Sequence, residues 1–246
     1  MGDLVFAPHP DDETIGMGAR LAALHDPWIV HVTEGAPRDM TDARAHGFRT
    51  REQYAGARRR ELLAALDVAG IGPERTRSLG VGDQEASHDL AGLALRIADL
   101  LRELRPDTVY APPYEGGHPD HDATAFAVHA ACRLVGRAPA IREYALYHCR
   151  GGSMAVCEFL PYDGCPVETI ELTPAQSEAK RRMLDCFRTQ RETLRAFGTA
   201  VERSRPAPDY NFCHPPRAGC IYYDTFPWGI SSWCWLEKAR AALARL

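Results

Sequence analysis

The chain lacks any long apolar run and has little lysine and almost no asparagine. No stretch approaches the roughly 20 consecutive apolar residues that a membrane-spanning helix needs, so the sequence predicts no transmembrane segment. Lys180 and Lys238 are the only lysines and Asn211 is the only asparagine, a bias typical of high-GC bacterial coding. Arginine is abundant for the same reason, and a single arginine is therefore a weak sign of function.

Three further absences exclude other classes of protein. The formal net charge of −4 argues against a nucleic-acid-binding protein, and the short arginine run at 58–60 does not reverse that. The eight cysteines form no C-x-x-C pair, and no charged segment followed by an apolar one opens the chain, which predicts a reduced, cytoplasmic protein with scattered buried thiols. No G-x-G-x-x-G follows the first predicted strand, so we rank a dinucleotide-binding protein low.

The alternation of predicted strands and helices indicates one α/β domain with a mostly parallel sheet. Apolar runs ended by polar residues predict strands over residues 3–7, 28–32, 76–81, 108–111, 141–147 and 169–172. Helical spacing predicts helices after residue 13, from about 48 to 69, over 90–104, from about 123 to 135, and from 174 to about 190 with Thr173 as N-cap. No repeat or linker divides residues 1–246. Residues 1–135 carry the motifs described next, and residues 136–246 complete the fold and contribute to the pocket.

Two His-Pro-Asp motifs follow predicted buried strands and precede predicted helices. The first is Pro8-His9-Pro10-Asp11-Asp12-Glu13, and the second is His118-Pro119-Asp120-His121. Either motif alone is equally well explained as a turn or a helix cap. Two copies in the same setting predict one shared site, because open parallel sheets bind ligands outside the carboxyl ends of their strands.

The residue types in these motifs predict a metal site that catalyses hydrolysis. Imidazole and carboxylate suit zinc, and a catalytic zinc usually keeps three protein ligands and one open position. We assign His9, Asp12 and His121 as ligands. Neighbouring side chains in an extended turn point in different directions, so Asp11 stays free to act as a base. Iron(II) fits two histidines and one carboxylate equally well.

Both motifs resemble those of the PIG-L or LmbE-like family of metal-dependent N-acetylglucosaminyl deacetylases and match them without a substitution. The resemblance covers roughly the first 135 residues. It implies a Rossmann-like three-layer sandwich, one zinc held by the same three ligands, and Asp11 as general base. It also implies that His118 stabilises the oxyanion and that Asp120 hydrogen-bonds and orients His118.

Two further residues are candidates for binding substrate. The resemblance implies this role for Arg58, although a solvated arginine is an equally good interpretation. Asp83 follows the strand at 76–81 and is placed to bind a sugar hydroxyl, while ordinary turn chemistry also explains it. Some family members carry a tyrosine where this chain has Gly116, and Tyr114 stays unassigned.

The predicted reaction is hydrolysis of an N-acyl group. Zinc lowers the pKa of bound water to about 7 and polarises a carbonyl, Asp11 accepts the water proton, and a protonated His118 donates to the oxyanion. A nearby Asp120 would favour that imidazolium, which predicts a bell-shaped pH profile. Asp11 and His118 are both competent to protonate the departing amine, and we favour Asp11.

The sequence therefore predicts a zinc-dependent N-deacetylase that acts on a small N-acyl amino sugar or glycoside. The alternatives are an amidase acting on a thiol conjugate or another non-sugar amide, and a catalytically silent, metal-containing glycan-binding protein. The sugar, the acyl group, the physiological metal and homo-oligomerisation stay open.

Two segments outside the motifs are candidates for the substrate pocket. The predicted loop after residue 34 lies at the rim of the site. Aromatic residues concentrate at 210–235, which suits a sugar or aryl pocket, while core packing or an oligomer interface explains the same composition. They include Phe212, Tyr222, Tyr223, Phe226, Trp228, Trp233 and Trp235.

Overall fold

The computed structural model describes residues 2–246, in which strands and helices alternate along most of the chain. The strands are β1 (Asp3–Ala7), β2 (Trp28–Pro37), β3 (Thr76–Asp83), β4 (Thr108–Ala111), β5 (Ala140–Tyr144), β6 (Tyr147–Arg150), β7 (Ser153–Val156), β8 (Glu168–Glu171) and β9 (Val201–Pro206). The α-helices are α1 (Asp12–Met17), α2 (Thr41–Ala45), α3 (Arg51–Val68), α4 (Leu90–Leu104), α5 (Pro119–Leu134), α6 (Pro174–Cys186), α7 (Arg191–Leu194) and α8 (Ser232–Leu243).

Seven strands form one mixed sheet in the order β3-β2-β1-β4-β5-β9-β8. The pairs from β3 to β5 are parallel, whereas β9 pairs antiparallel with both β5 and β8. The strand order reverses beside β1, which has β2 on one side and β4 on the other. The carboxyl ends of β1 and β4 therefore flank the crevice where open α/β sheets bind ligands. The remaining strands, β6 and β7, form a separate antiparallel hairpin.

Helices cover both faces of the sheet. Leu4 and Phe6 of β1 pack in a buried cluster with residues of α4, α5 and α8. Val5, which points to the opposite face, packs in a second cluster with residues of α1, α3 and α6. This arrangement confirms the predicted three-layer α/β sandwich with a mostly parallel sheet.

Several predicted elements are confirmed at their bounds, and others differ. β1, β4 and α4 occupy the predicted residues, and Thr173 caps α6 in a reciprocal capping box with Gln176. The predicted loop from residue 34 is wrong over its first residues, because β2 continues through Pro37. The strand predicted at 141–147 is divided between β5 and β6, and α5 begins at Pro119, so that His121 lies in its first turn.

The sequence does not predict β9, because this strand is rich in charged residues and lacks an apolar run. Glu202 and Arg205 of this strand are nevertheless buried. Glu202 pairs with Lys180 at 2.9 Å, and Arg205 pairs with Glu143 at 2.7 Å. A buried charge needs a partner, and these partners lie far away in sequence, so no local pattern reveals the strand.

No helix within residues 2–246 combines the length and the apolar character that a bilayer crossing requires. All eight cysteines are free, and only Cys132 and Cys149 are buried. The prediction of buried thiols is therefore confirmed for these two and wrong for the other six, which are partly or fully exposed.

Candidate metal centre and catalytic cleft

The turn after β1 brings the first motif to the carboxyl end of the sheet. The backbone N–H of His9 donates to Oδ2 of Asp12 at 2.9 Å, and Asp12 begins α1. Asp11 precedes the helix with φ 147° and ψ −24°, a region that residues other than glycine rarely adopt. The two carboxylates contact different partners, since Asp12 lies against His9 and Asp11 lies against Arg58.

Buried neighbours hold this strained turn in place. Oε2 of Glu13 accepts the backbone N–H of Asp11 at 3.3 Å and lies 3.0 Å from Nε2 of His31. Its other oxygen accepts the hydroxyl of Thr14 at 2.7 Å. Because Glu13, Thr14 and His31 are all buried, surrounding structure rather than solvent fixes the backbone of Asp11.

The second motif forms the N-terminus of α5. Oδ1 of Asp122 accepts the backbone N–H groups of Glu115 and Gly116 at 3.2 and 3.0 Å, which shapes the loop before the helix. His118 is the N-cap residue, and its Nδ1 accepts the backbone N–H of Asp120 at 3.1 Å. His121 follows in the first turn, so both histidines project from a rigid helix end.

The two motifs meet in a buried cluster of potential metal ligands. Oδ2 of Asp12 lies 3.0 Å from Nδ1 of His9 and 3.3 Å from Nε2 of His121. Burial alone would raise the pKa of Asp12, but His121 and His9 hold it well below its usual range. Nε2 of His121 is buried and has no hydrogen-bond partner in the described residues. Ionised carboxylates and imidazole nitrogens that make no hydrogen bond are suitable ligands for a divalent cation.

Two sets of potential ligand atoms lie close together in the described residues, and neither set includes Asp12. Single nitrogen atoms of His9, His118 and His121 lie within 4.8 Å of one another, and so do ligand atoms of His9, Asp83, His118 and Asp120. The described residues thus provide a site for a divalent metal with more than three potential ligands.

The position of Asp120 corrects one prediction. Its carboxylate lies 3.9 Å from Nδ1 of His118, beyond hydrogen-bond distance, and it is the backbone N–H of Asp120 that contacts this ring. The carboxylate instead accepts the backbone N–H groups of Gln84 and Ala86 at 2.6 and 3.0 Å, and Oδ2 lies 3.2 Å from Nε2 of His9. Asp120 therefore hydrogen-bonds His118 through its backbone N–H, while its carboxylate supports His9 and the end of β3.

The surroundings of His118 also act against the predicted imidazolium. Burial, together with His9 and His121, lowers the pKa of His118 well below its usual range. Because Nδ1 accepts a backbone N–H, the ring proton of neutral His118 lies on Nε2. That nitrogen lies 4.0 Å from Oδ1 of Asp83.

Arg58 is buried and lies beside Asp11 instead of in solvent. Its guanidinium donates to Oδ2 of Asp11 at 2.9 Å, to the carbonyl of Pro10 at 3.0 Å and to the carbonyl of Gly35 at 2.7 Å. Burial acts to raise the pKa of Asp11, and Arg58 acts to lower it. Gly35 has φ +67°, and a side chain there would collide with Arg58, so this glycine makes room for the guanidinium.

Asp83 ends β3 and reaches the same site, as the strand order predicts. Its Oδ1 lies 3.4 Å from Nε2 of His9, and its Oδ2 lies 3.9 Å from Nη1 of Arg58. Burial would raise the pKa of Asp83, but His9, His118 and Arg58 hold it below its usual range. The carboxylate is therefore a charged acceptor on the wall of the cleft.

The cleft has a volume of about 340 Å³ and contains residues that the sequence does not single out. Its further polar lining comes from Asp42, Gln84, Gln190 and Thr193, and its apolar lining from Ile15, Tyr147, Phe197, Phe226 and Trp228. Only Phe226 and Trp228 lie in a segment that composition marks as unusual. Asp42 lies in the segment after residue 34 that the sequence predicts at the rim of the site, and the others come from separate loops and helices and carry no local signal.

The aromatic segment at 210–235 divides between the core and the cleft. Phe212, Tyr223 and Trp235 are buried in the core, whereas Trp233 is 63% exposed. Phe226 and Trp228 line the cleft. Tyr114 belongs with the core residues, since its ring packs on Trp235 and its hydroxyl donates to the carbonyl of His214 at 2.9 Å.

Comparisons with known proteins place these motifs in a family. The family model described as GlcNAc-PI de-N-acetylase (PIG-L) matches residues 4–132, just over half of the chain. This span contains β1 to β4, both histidine motifs, Arg58 and Asp83.

Two curated relatives share about a third of the aligned residues. A probable N-acetyl-α-D-glucosaminyl L-malate deacetylase 2 from Bacillus cereus is 33% identical, over 55% of this chain and 61% of that protein. A 1D-myo-inositol 2-acetamido-2-deoxy-α-D-glucopyranoside deacetylase from a Mycobacterium species is 32% identical, over 47% of this chain and 45% of that protein. The chain thus matches about half to three-fifths of the length of these relatives.

A solved structure resembles the whole fold. The zinc-inhibited form of the teicoplanin deacetylase Orf2 superposes with a TM-score of 0.62 and 19% identity, over 85% of this chain and 99% of that chain. At this level of identity the likeness confirms the fold alone.

Proposed function

The chain belongs to the family of GlcNAc-PI de-N-acetylases (PIG-L), and on this premise we propose that it is a metal-dependent hydrolase that removes an N-acetyl or other N-acyl group from an amino sugar or glycoside. The observation that carries the proposal is the convergence of Asp12 with His9 and His121 beside the separate carboxylate of Asp11. A purely binding site would need no base next to its metal ligands.

The buried residues fit a zinc ion. Four tetrahedral ligand atoms at about 2.0–2.1 Å from zinc lie roughly 3.3 Å apart, and Oδ2 of Asp12 lies 3.0 and 3.3 Å from the facing nitrogens of His9 and His121. We assign these three residues as ligands because Nδ1 of His118 already accepts a hydrogen bond. When bound, the ion supplies Lewis-acid activation of water and of the amide carbonyl. Iron(II) fits the same residues.

Asp11 acts as general base on the attacking water. Arg58 holds its Oδ2, and Glu13 holds its backbone N–H, which leaves Oδ1 to accept the proton. A positioned base of this kind contributes about 10²- to 10⁴-fold to the rate. The buried arginine thus acts through Asp11 rather than as a freely moving substrate ligand.

His118 donates to the developing oxyanion as a neutral imidazole. The backbone N–H of Asp120 occupies Nδ1, so Nε2 carries the proton. A donor fixed at a helix N-terminus needs no reorientation when charge develops on the carbonyl oxygen, which is the condition for effective electrostatic stabilisation. Asp11, which has taken the water proton, then protonates the departing amine.

Asp83 binds a hydroxyl of the substrate. Its carboxylate lies within 4.0 Å of His9, His118 and Arg58, next to the site of reaction. Asp42 and Gln190 extend the polar lining. Polar groups around the reacting centre suit an amino sugar, and both curated relatives are named for deacetylation of an N-acetylglucosamine derivative.

The test is metal-dependent release of amine from N-acetylglucosamine, its glycosides and non-sugar N-acetyl amides. We expect chelated protein to be inactive, zinc or iron(II) to restore activity, and Asp11→Asn to lose roughly 10²-fold or more with unchanged metal content. Asp209→Asn, whose side chain is 92% exposed on the surface, is the matched control and should remain active.

Other outcomes separate the alternatives. Bound metal without amine release from any substrate would refute the proposal and favour a glycan-binding protein. Release of amine from non-sugar amides alone would support the proposed hydrolysis but show that the substrate is not an amino sugar. Failure to bind any divalent metal would refute the mechanism.

A further inference from the structure

Phe226 and Trp228 form a stacked pair of aromatic rings beside the reacting groups. Their rings are stacked with centroids 4.4 Å apart and planes 8° apart. The ring of Trp228 lies 4.7 Å from that of His118. Both side chains line the cleft and are only partly buried. We call these two residues the aromatic pair.

The aromatic pair belongs to a closed circuit of rings around one side of the cleft. From Trp228 the circuit passes through Phe226, Tyr222, Tyr147 and His121 to His118, with centroid distances of 4.4, 5.1, 5.9, 5.0 and 5.3 Å between successive rings. The last step returns from His118 to Trp228. Five of these six rings, all except Tyr222, line the cleft, while Asp42, Asp83 and Arg58 supply polar lining elsewhere.

The segment that carries the aromatic pair is fixed to the loop that precedes α5. The backbone N–H of Tyr222 donates to the carbonyl of Gly116 at 2.9 Å. On the other side, Asp224 accepts the backbone N–H and the hydroxyl of Ser232 at 2.6 Å each, and Nε1 of Trp235 donates to the carbonyl of Pro119 at 3.2 Å. The aromatic surface is thus held in register with α5, and a preformed surface binds ligand with little ordering cost.

The position of His118 identifies the part of the substrate that would reach this surface. His118 lies next to the amide carbonyl in the proposed reaction, and that carbonyl carbon bears the sugar nitrogen on one side and the acyl chain on the other. Asp83, 4.0 Å from Nε2 of His118, is suited to sugar hydroxyls, whereas the aromatic pair offers no polar partner except the indole N–H. An acetyl group has a single methyl carbon and would leave most of this surface uncovered.

We propose, on the basis of the proposed function, that the aromatic pair binds the acyl chain of the substrate. The enzyme then prefers amino sugars whose N-acyl group is longer than acetyl, either a medium alkyl chain or an aryl group. Phe226 and Trp228 determine this specificity and take no part in the hydrolysis of the amide bond.

The experiment compares kcat/KM for N-octanoylglucosamine and N-acetylglucosamine with the metal-loaded enzyme. For the wild type we expect the octanoyl substrate to be favoured roughly tenfold or more, because each buried methylene adds to the preference. Trp228→Ala should reduce this ratio at least threefold while kcat/KM for the acetyl substrate changes less, and Trp228→Phe should restore most of the ratio. Trp233→Ala removes an exposed tryptophan of α8 outside the cleft and should leave the ratio unchanged.

A binding measurement keeps this inference separate from the proposed function. Calorimetric titration of Asp11→Asn with the two sugars should show tighter binding of the octanoyl compound, and Trp228→Ala in that background should remove the difference. Equal binding of the two sugars, or a difference that survives Trp228→Ala, would overturn the inference whether or not the enzyme is active. Hydrolysis of the acetyl substrate with no preference for the longer chain would overturn the inference alone.

Discussion

Replacing Arg58 with methionine should both destabilise the protein and reduce hydrolysis. The guanidinium makes hydrogen bonds of 2.7, 3.0 and 2.9 Å to the carbonyls of Gly35 and Pro10 and to the carboxylate of Asp11. Methionine fills much of the same volume but leaves all three acceptors without this donor. Removing one member of a buried ion pair costs about 3–5 kcal/mol, and we expect the free energy of unfolding to fall by this amount.

A double-mutant cycle isolates the ion pair from the packing. In the Asp11→Asn background the carboxylate that Arg58 contacts at 2.9 Å is absent, so Arg58→Met should cost at least about 1 kcal/mol less than in the wild type. Arg60→Met changes the exposed neighbour two residues along α3 and should stay within about 0.5 kcal/mol of the wild type. The assay is urea denaturation of chelated protein, followed by tryptophan fluorescence and extrapolated to water.

The same substitution should also lower kcat/KM, because Arg58 holds the base. Displacement of a catalytic group by about 1 Å can cost roughly 10²-fold, and we expect a loss of that order in Arg58→Met with metal content unchanged. An Arg58→Met protein that loses less than about 1 kcal/mol, or whose cost is the same with Asp11 and with asparagine, would refute the assignment of Arg58 as the partner that positions Asp11.

Three further predictions concern the surroundings of the site. Lys180→Met breaks the fully buried pair with Glu202 and should cost about 3–5 kcal/mol in urea denaturation, and Lys180→Met/Glu202→Gln should recover at least about 1 kcal/mol of this. A side chain at Gly117, next to His118, would collide with the backbone of β6, so Gly117→Ala should lower kcat/KM roughly tenfold. Gly136→Ala is the control and should not lower it, because no atom lies within 4 Å of the added carbon. Burial raises the pKa of Glu143 from its ordinary 4.5 to about 7. The folded protein therefore keeps a proton that the unfolded chain loses, stability should fall as pH rises through this range, and Glu143→Gln should flatten the fall. A slope as steep in this variant as in the wild type would contradict the last prediction.

The sequence predicts that His9, Asp12 and His121 lie close together, because the signals that place them are local. His9 and Asp12 stand at the end of one apolar strand, and His121 follows another, so strand-end geometry suffices to bring the three together. Asp83 is predicted for the same reason, as the residue that ends β3. Each of these residues is placed by the element immediately beside it.

Contacts between distant segments are what the sequence does not predict. Arg58 resembles a solvated residue in an arginine run, and its contact with Asp11 depends on how α3 packs beside the first motif. Asp120 is only two residues from His118, yet it contacts the His118 ring through its backbone N–H. Its carboxylate contacts His9 instead, because of the geometry of the first helical turn. Composition marks the aromatic segment, but packing alone decides that Phe226 and Trp228 face the cleft while Trp235 is buried.

The location of the metal is the most direct test of the account. Anomalous diffraction at the zinc edge from crystals of the zinc-loaded protein should give one peak within about 2.0–2.2 Å of His9, Asp12 and His121, with the Asp11 carboxylate outside bonding distance. A peak held instead by His9, Asp83, His118 and Asp120, or a bond from the metal to Asp11, would contradict the ligand assignment and the role of Asp11 as the base.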